Sequence, residues 1–445
     1  MRKCGLALSL LASSMVLPAQ AVAQSPAFSA PTVAGAEASV AAFYKSYSVK
    51  PLWFHGSVAT PALAELLRIL RRAPFDGFPQ GPQLAAQVET AAAAAATSPA
   101  SVIAAERTAS AAWVSYVQAL KRPTPGMIYA YPVLAPQGSR ADQILLTATA
   151  APSLEVYLNA TSNVNPIYAQ LRNAAWMQAQ ATGGLTPDPR LLMNLERARS
   201  LPVGGRFILV DAASQQLYMY DGGQPVDSMK VVVGDKEKLG LPTPMIASVI
   251  HYMTFNPYWN VPHHLVRKMV ANPEFKKDPK KYLKSKKYEV MSDWTETATP
   301  ISPDSIDWKA VGSGAKQIRV RQLPGPLNSM GKMKFPFPSG QDIYLHDTPT
   351  REYFAKSMRA LSNGCVRLEA APRLAKWLLG RDPTPPSANP EERVQLPQGV
   401  PVYLTYLTAQ PTPTGIAYLP DIYGWDVPGA QVAAITPPAQ ASSTQ

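Results

Sequence analysis

The sequence predicts an α+β multidomain protein: a helical N-terminal half, then a mainly-β half interrupted by a lysine-rich insertion. Three observations carry this. Up to about residue 200 apolar side chains recur at helical spacing, and around Leu201-Pro202-Val203-Gly204-Gly205 the period drops to two. Between strand-like runs near residues 255 and 320 lies a stretch dense in lysine. With 445 residues, the chain can build two or three domains with cores of ordinary size.

Residues 1–23 read as a secretory signal. Arg2 and Lys3 supply the charge, residues 6–16 the apolar stretch, and Ala21-Val22-Ala23 a small-residue cleavage site. That run is too short to span a bilayer, and no later segment reaches the ~20 apolar residues a spanning helix needs. The expectation is export to the periplasm, cleavage near Ala23, and no membrane span afterwards. Residues 24–35 form a Pro- and Ala-rich flexible leader. The helical scaffold domain is placed at 36–200. Thr60 and Pro61 mark a helix start, and Leu63, Leu66, Leu67 and Leu70 follow at i, i+3, i+4, i+7. Residues 102–120 repeat the character with Trp113, Val114, Val117 and Leu120, while residues 152–181 and 189–199 add further helix. This half shows no cluster of catalytic residue types.

The mainly-β domain is placed at 201–426. Residues 206–210, 216–220 and 228–233 read as a meander whose Asp221-Gly222-Gly223 turn is a hairpin signal. Further strands fit residues 246–255, 317–321, 342–345 and 402–407. The insertion, about 263–316, carries Lys268, Lys276, Lys277, Lys280, Lys281, Lys284, Lys286 and Lys287, interleaved with Phe275, Tyr282, Tyr288 and Trp294. It reads either as a solvated lysine face or as a cap that guides an anionic substrate. Residues 427–445 have the composition of a disordered tail. The net charge of +12 favours an anionic setting, which for an exported protein means wall polymer or membrane surface before nucleic acid.

Removal of the signal takes Cys4 with it and leaves one thiol, Cys365. A lone cysteine is either a buried hydrophobe or a working nucleophile. A thiol of ordinary pKa needs a base or a positive neighbour to raise its thiolate fraction. His346, 19 residues upstream in Tyr344-Leu345-His346-Asp347, is the candidate base. Gly364 gives the backbone freedom for a tight bend, so the N–H of Cys365, with those of Asn363 and Gly364, can face a tetrahedral oxyanion. Arg367 shares a strand face with Cys365 and can hold a carboxylate or a carbonyl; its bland alternative is a salt bridge to Glu369 or Asp347. One cysteine and scattered histidines give no metal-ligand spacing, and no nucleotide-binding glycine loop appears, so neither metal nor cofactor is expected.

Residues 344–349, followed by Ser362-Asn363-Gly364-Cys365-Val366-Arg367, resemble the active-site signature of the L,D-transpeptidase catalytic domain of the YkuD type. Tyr258-Trp259-Asn260-Val261-Pro262, Leu323-Pro324-Gly325-Pro326, Asn328-Ser329-Met330-Gly331-Lys332, Asn194-Leu195-Glu196-Arg197 and Asp421-Ile422-Tyr423-Gly424 resemble the large periplasmic subgroup, which has a scaffold domain and a capping subdomain. The resemblance implies a β-sandwich or barrel-like catalytic domain. It assigns Cys365 as nucleophile and His346 as base, with Ser362, Asn363 and Gly364 in the oxyanion loop. Arg367, Tyr344, Trp259, Asn328 and Met330 become the substrate-binding set. Two departures stand out. Asn363 occupies a position where many members have histidine, and no separate wall-binding module fits between scaffold and catalytic domain.

The implied reaction is acyl transfer in two steps. Cys365 attacks the carbonyl at an L-to-D junction of a peptidoglycan stem peptide, and a diamino-acid side-chain amine of an acceptor stem resolves the thioester. A crosslink between two third residues is favoured, and a donor at position one stays open. Carbapenem-type inhibitors are expected to acylate the thiol. The alternatives are an L,D-carboxypeptidase or endopeptidase acting on the same bonds, and a non-catalytic wall-binding scaffold. Nucleic-acid binding is disfavoured by the export signal and by the lack of a recognised module.

Overall fold

The computed structural model describes residues 33–427. The predicted signal, residues 24–32 of the leader and residues 428–445 of the tail lie outside the described residues. The end of the leader needs correction, because the first helix already begins at Val33 and runs Val33–Ser46.

Helices build the N-terminal half as the leucine spacing requires. Pro61–Arg72 starts with proline at its first turn, where a missing N–H costs nothing, and buries Leu63, Leu66, Ile69 and Leu70. The Thr60 hydroxyl does not cap this helix; it donates to Leu52 O at 3.2 Å. Pro99–Leu120 is capped by Ser98 and sinks Trp113, Val114 and Val117 into the core. The single helix predicted over 152–181 is two, Leu154–Asn163 and Pro166–Thr182. Val164 takes φ 58°, and Asn165, the residue before Pro166, is extended, so the first helix ends there. The Asn165 carboxamide then caps the second helix at Tyr168 N (2.9 Å) and donates to Ala198 O and Leu201 O at the domain junction. Deep in this domain Asp76 accepts from Tyr116, Tyr168 and Arg172 at 2.9, 3.0 and 3.2 Å, so the burial of the Arg172 charge is compensated.

The second half closes into a barrel. Its strands are β1 (Phe207–Asp211), β2 (Gln216–Asp221), β3 (Gln224–Gly234), β4 (Ile246–Phe255), β5 (Met333–Pro336), β6 (Tyr344–His346), β7 (Val366–Leu368) and β8 (Glu392–Thr405). They run in the order β5-β6-β7-β3-β2-β1-β8-β4, and β5 returns to β4 through Met333↔Phe255 and Lys334↔Thr254. Closure removes both free edges. The pairs β6–β7 and β8–β1 are parallel, the others antiparallel. The strand predicted at 402–407 is the end of the longer β8, which shifts register between Gln395 and Val400.

Two of the scaffold's joins to the barrel bear on the site's support. Its short strand Ile128–Tyr129 runs parallel to β4 at Ile246 and Ala247. The helix Pro189–Ala198 presents Arg190, Asn194 and Arg197, spaced i, i+4, i+7, to the C-terminal segment. Asp426 accepts from Arg190 (2.6 Å) and Arg197 (2.7 Å), and Asn194 donates to Thr408 Oγ1 at 2.9 Å.

Between β4 and β5 stands the cap, with a core of its own built on Val266, Phe275, Leu283, Val290, Val311 and Val320. Its sheet draws on Trp259–Asn260 and Arg319–Gln322, so it reaches a few residues beyond 263–316 on both sides. Lys276, Lys277, Lys280, Lys281, Lys284, Lys286 and Lys287 are all exposed; of these Lys280 pairs with Asp304 at 3.3 Å.

Candidate active site

The thiol sits where the chain changes partners. Ala360–Ser362 runs parallel to the end of β3, Asn363-Gly364-Cys365 forms a bend, and β7 then pairs with β6. Gly364 adopts φ 107°, a backbone state that side chains other than glycine's avoid. Two bonds from Ser362 brace the bend: its hydroxyl donates to Cys365 O at 2.6 Å and accepts from Gly364 N at 3.2 Å. The Gly364 N–H is thereby spent, and it drops out of the predicted oxyanion donors. The N–H of Cys365, by contrast, has no acceptor among the described residues.

Register places the base. Leu345 stands opposite Val366 and His346 opposite Arg367, with Leu345, Val366 and Leu368 fully buried in the barrel core. Strand alternation therefore puts Tyr344, His346 and Arg367 together on the other face, beside Cys365. The His346 Nδ1–H donates to Asp347 O at 2.6 Å, which assigns the tautomer and leaves Nε2 as the acceptor. The Asp347 carboxylate faces elsewhere: Oδ2 accepts from Lys332 N at 2.8 Å, and Oδ1 lies 3.6 Å from Arg351.

Both reactive groups are neutral in this state. Burial, then the Arg367 charge, pull the His346 pKa down to about 3. Burial pushes the Cys365 thiol up to about 11, against the lowering effects of the Tyr344 N–H and Arg367; the Asp342 carboxylate adds to the rise. The half-buried thiol donates weakly to Asp342 O at 3.6 Å and makes no hydrogen bond to His346. Approach of a substrate must supply the alignment for proton transfer, as is common in free enzymes.

The structure brings some of the predicted site residues near the thiol and commits others elsewhere. Arg367 makes neither of the salt bridges considered above. Its guanidinium lies over Tyr353, 5.4 Å from the ring centroid, and its buried Nε has no partner, so the group can take up a carboxylate. Tyr344 borders a cleft of about 370 Å³, lined also by His251, Tyr252, Phe337 and Asp342; neither Cys365 nor His346 is among its lining residues. Asn363 Oδ1 lies 3.5 Å from Nε2 of the cap residue His264. Trp259 belongs to the cap, where its ring stands 6.3 Å from that of Tyr288. Asn328 and Met330 need correction as substrate contacts, since both are buried. The Asn328 carboxamide is consumed by Pro257 O, Gln322 O, Leu323 O and Met330 N, so it shapes the turn that delivers Lys332 N to Asp347. Among the described residues no cluster of His, Cys, Asp or Glu is arranged to hold a metal ion.

Comparison with known proteins gives the same reading. Residues 205–404 match the L,D-transpeptidase catalytic domain, YkuD, and residues 38–174 match the Scaffold domain. Residues 205–404 are an L,D-transpeptidase catalytic domain. A protein of Haemophilus influenzae described as "Putative L,D-transpeptidase" is 29% identical over 323 residues, which span 71% of this chain and 64% of that protein. The loop carrying Cys365 is also contacted from behind by Thr243, which donates to Gly364 O, and Thr243 is in turn held by the Tyr423 hydroxyl. Sequence reasoning missed Thr243, which lies in a Pro242-Thr243-Pro244 loop without any motif. Tyr423 did stand in a noted motif, but nothing in the sequence points its hydroxyl at Thr243. No helix among the described residues is long and apolar enough to cross a membrane.

Proposed function

We propose that this protein is a peptidoglycan L,D-transpeptidase that uses Cys365 as its nucleophile. The observation that carries the reading is the register that sets an imidazole of assigned tautomer on one strand beside the bend, leading into its parallel neighbour, that bears a thiol and an uncommitted N–H. Cys365 attacks the carbonyl at the L-to-D junction of a donor stem peptide while its proton passes to His346 Nε2. The N–H of Cys365 receives the oxyanion. Collapse expels the D-side amine with the proton from His346, leaving a thioester. The side-chain amine of a diamino acid on an acceptor stem then attacks, His346 takes its proton, and the thiol is regenerated. Arg367 is suited to a carboxylate of the bound stem.

The crosslink favoured joins two third residues, and a donor at position one gives the 1-3 product. Export to the periplasm with cleavage near Ala23 belongs to the same proposal. Mass spectrometry of muropeptides from purified sacculi, treated with wild type and with Cys365→Ala, tests it. New dimers made only by the wild type support transfer, and their fragmentation reports the donor position. Cleavage without dimers at every acceptor concentration would replace transfer with hydrolysis, and identical products from the two proteins would end cysteine catalysis. A carbapenem adduct on Cys365, absent from Cys365→Ser, is expected alongside.

A further inference from the structure

We infer that Thr243 is a positioning residue that aims the oxyanion donor of this site, with Tyr423 of the C-terminal segment holding Thr243 in place. The inference rests on the acyl-transfer reading above and adds residues outside its machinery. The Thr243 hydroxyl donates to Gly364 O at 2.8 Å and accepts from Gly234 N at 2.8 Å. Its direction is thus set from both sides.

Gly364 O and Cys365 N belong to one trans peptide, in which the C=O and N–H point in opposite directions. Drawing the carbonyl back onto Thr243 turns the Cys365 N–H away from the buried side of the loop, toward the side from which a substrate comes. The bend at φ 107° has other peptide orientations open to it, since glycine restricts ψ little. A rotation of that plane would present the carbonyl oxygen to the developing oxyanion, replacing attraction by repulsion. The hydroxyl selects the productive orientation.

Tyr423 locks the support. Its hydroxyl donates to Gly234 O at 2.9 Å and accepts from Thr243 N at 3.2 Å, while its own N–H goes to Tyr406 Oη at 2.9 Å. Tyr406 in turn donates to Asp421 at 2.7 Å. Thr243 and Tyr423 are each 1% exposed, so no water replaces these bonds. Gly234 is required by the same packing: a Cβ there would stand 2.5 Å from Thr243 N and 2.1 Å from Leu241 O.

Two reagents separate this role from general loss of structure. Imipenem acylates a thiol through a tetrahedral oxyanion, whereas iodoacetamide alkylates it by direct displacement and makes no use of an oxyanion donor. In the full chain, Thr243→Val should slow imipenem acylation by at least ~10-fold, approaching the ~100-fold typical of a lost donor. Alkylation should stay within about twofold of wild type, since it needs no oxyanion donor. Thr243→Ser should restore acylation, and Tyr423→Phe should show the same selective loss. Acylation by Thr243→Val at the wild-type rate, or acylation and alkylation falling in parallel, would overturn the inference. A wild type that iodoacetamide modifies and imipenem does not would instead remove the acyl-transfer reading, and this inference with it.

Discussion

The neutral resting state of the thiol has a direct kinetic signature. With the Cys365 pKa at about 11 against an ordinary 9.0, the thiolate fraction at pH 7 is ~10⁻⁴ in place of ~10⁻². The more basic sulfur is also the better nucleophile, and a Brønsted slope near ~0.45 over two pH units returns a factor of roughly 8. Alkylation of the free enzyme by iodoacetamide at pH 7 should therefore run ~10-fold slower than that of an exposed peptide thiol. The rate should climb tenfold per pH unit from pH 7 to 10 without a plateau. Arg367→Gln should slow the reaction further and Asp342→Asn should speed it, because the first charge lowers the thiol pKa and the second raises it. A plateau at or below pH 7 would mean a thiolate–imidazolium pair in the free enzyme and would refute this account. So would substitutions at Arg367 and Asp342 that shift the rate in the same direction.

Two further outcomes concern stability. The His346 pKa is about 3 when folded and 6.5 when free, so the unfolded chain takes the proton first and stability falls as pH drops from about 6.5 toward 3. At pH 5 the cost is about 2 kcal/mol, and urea titrations at pH 7 and 5 should show His346→Asn relieved of most of it. In the scaffold, Asp76→Ala leaves the fully buried Arg172 without its carboxylate and should cost about 3–5 kcal/mol, read as a lower urea midpoint. An unchanged midpoint would mean that the Asp76 cluster contributes nothing to the scaffold.

What was legible in the sequence depended on how far each signal extends along the chain. Pro61–Arg72 could be read because a proline and four leucines occupy consecutive turns, and β4 because its ten residues are mostly apolar or β-branched with no Gly or Pro among them. The strands β5 and β7 span four and three residues, too few to display a period, and only their neighbours in the closed sheet make them strands. Cys365 and His346 were recognisable as residue types at a characteristic spacing. Asn328 and Met330 were misplaced because a turn sequence does not say which way a carboxamide faces, and here it faces its own backbone.

The electrostatics of the site follow from the same burial that hides these partners. A loop braced by Ser362 and Thr243 carries the half-buried sulfur, and burial raises the thiol pKa while it lowers that of the imidazole. Burial of both groups thus opposes moving a proton between them in the free enzyme. Precise placement of the oxyanion donor and a resting thiolate therefore compete for one environment, and this structure favours placement. The compensating charge must come from the substrate's own developing oxyanion at the Cys365 N–H, which makes thiol activation and carbonyl attack parts of a single step. Reagents that offer no such oxyanion meet an unactivated sulfur, whereas an acyl donor meets a site already aligned for it.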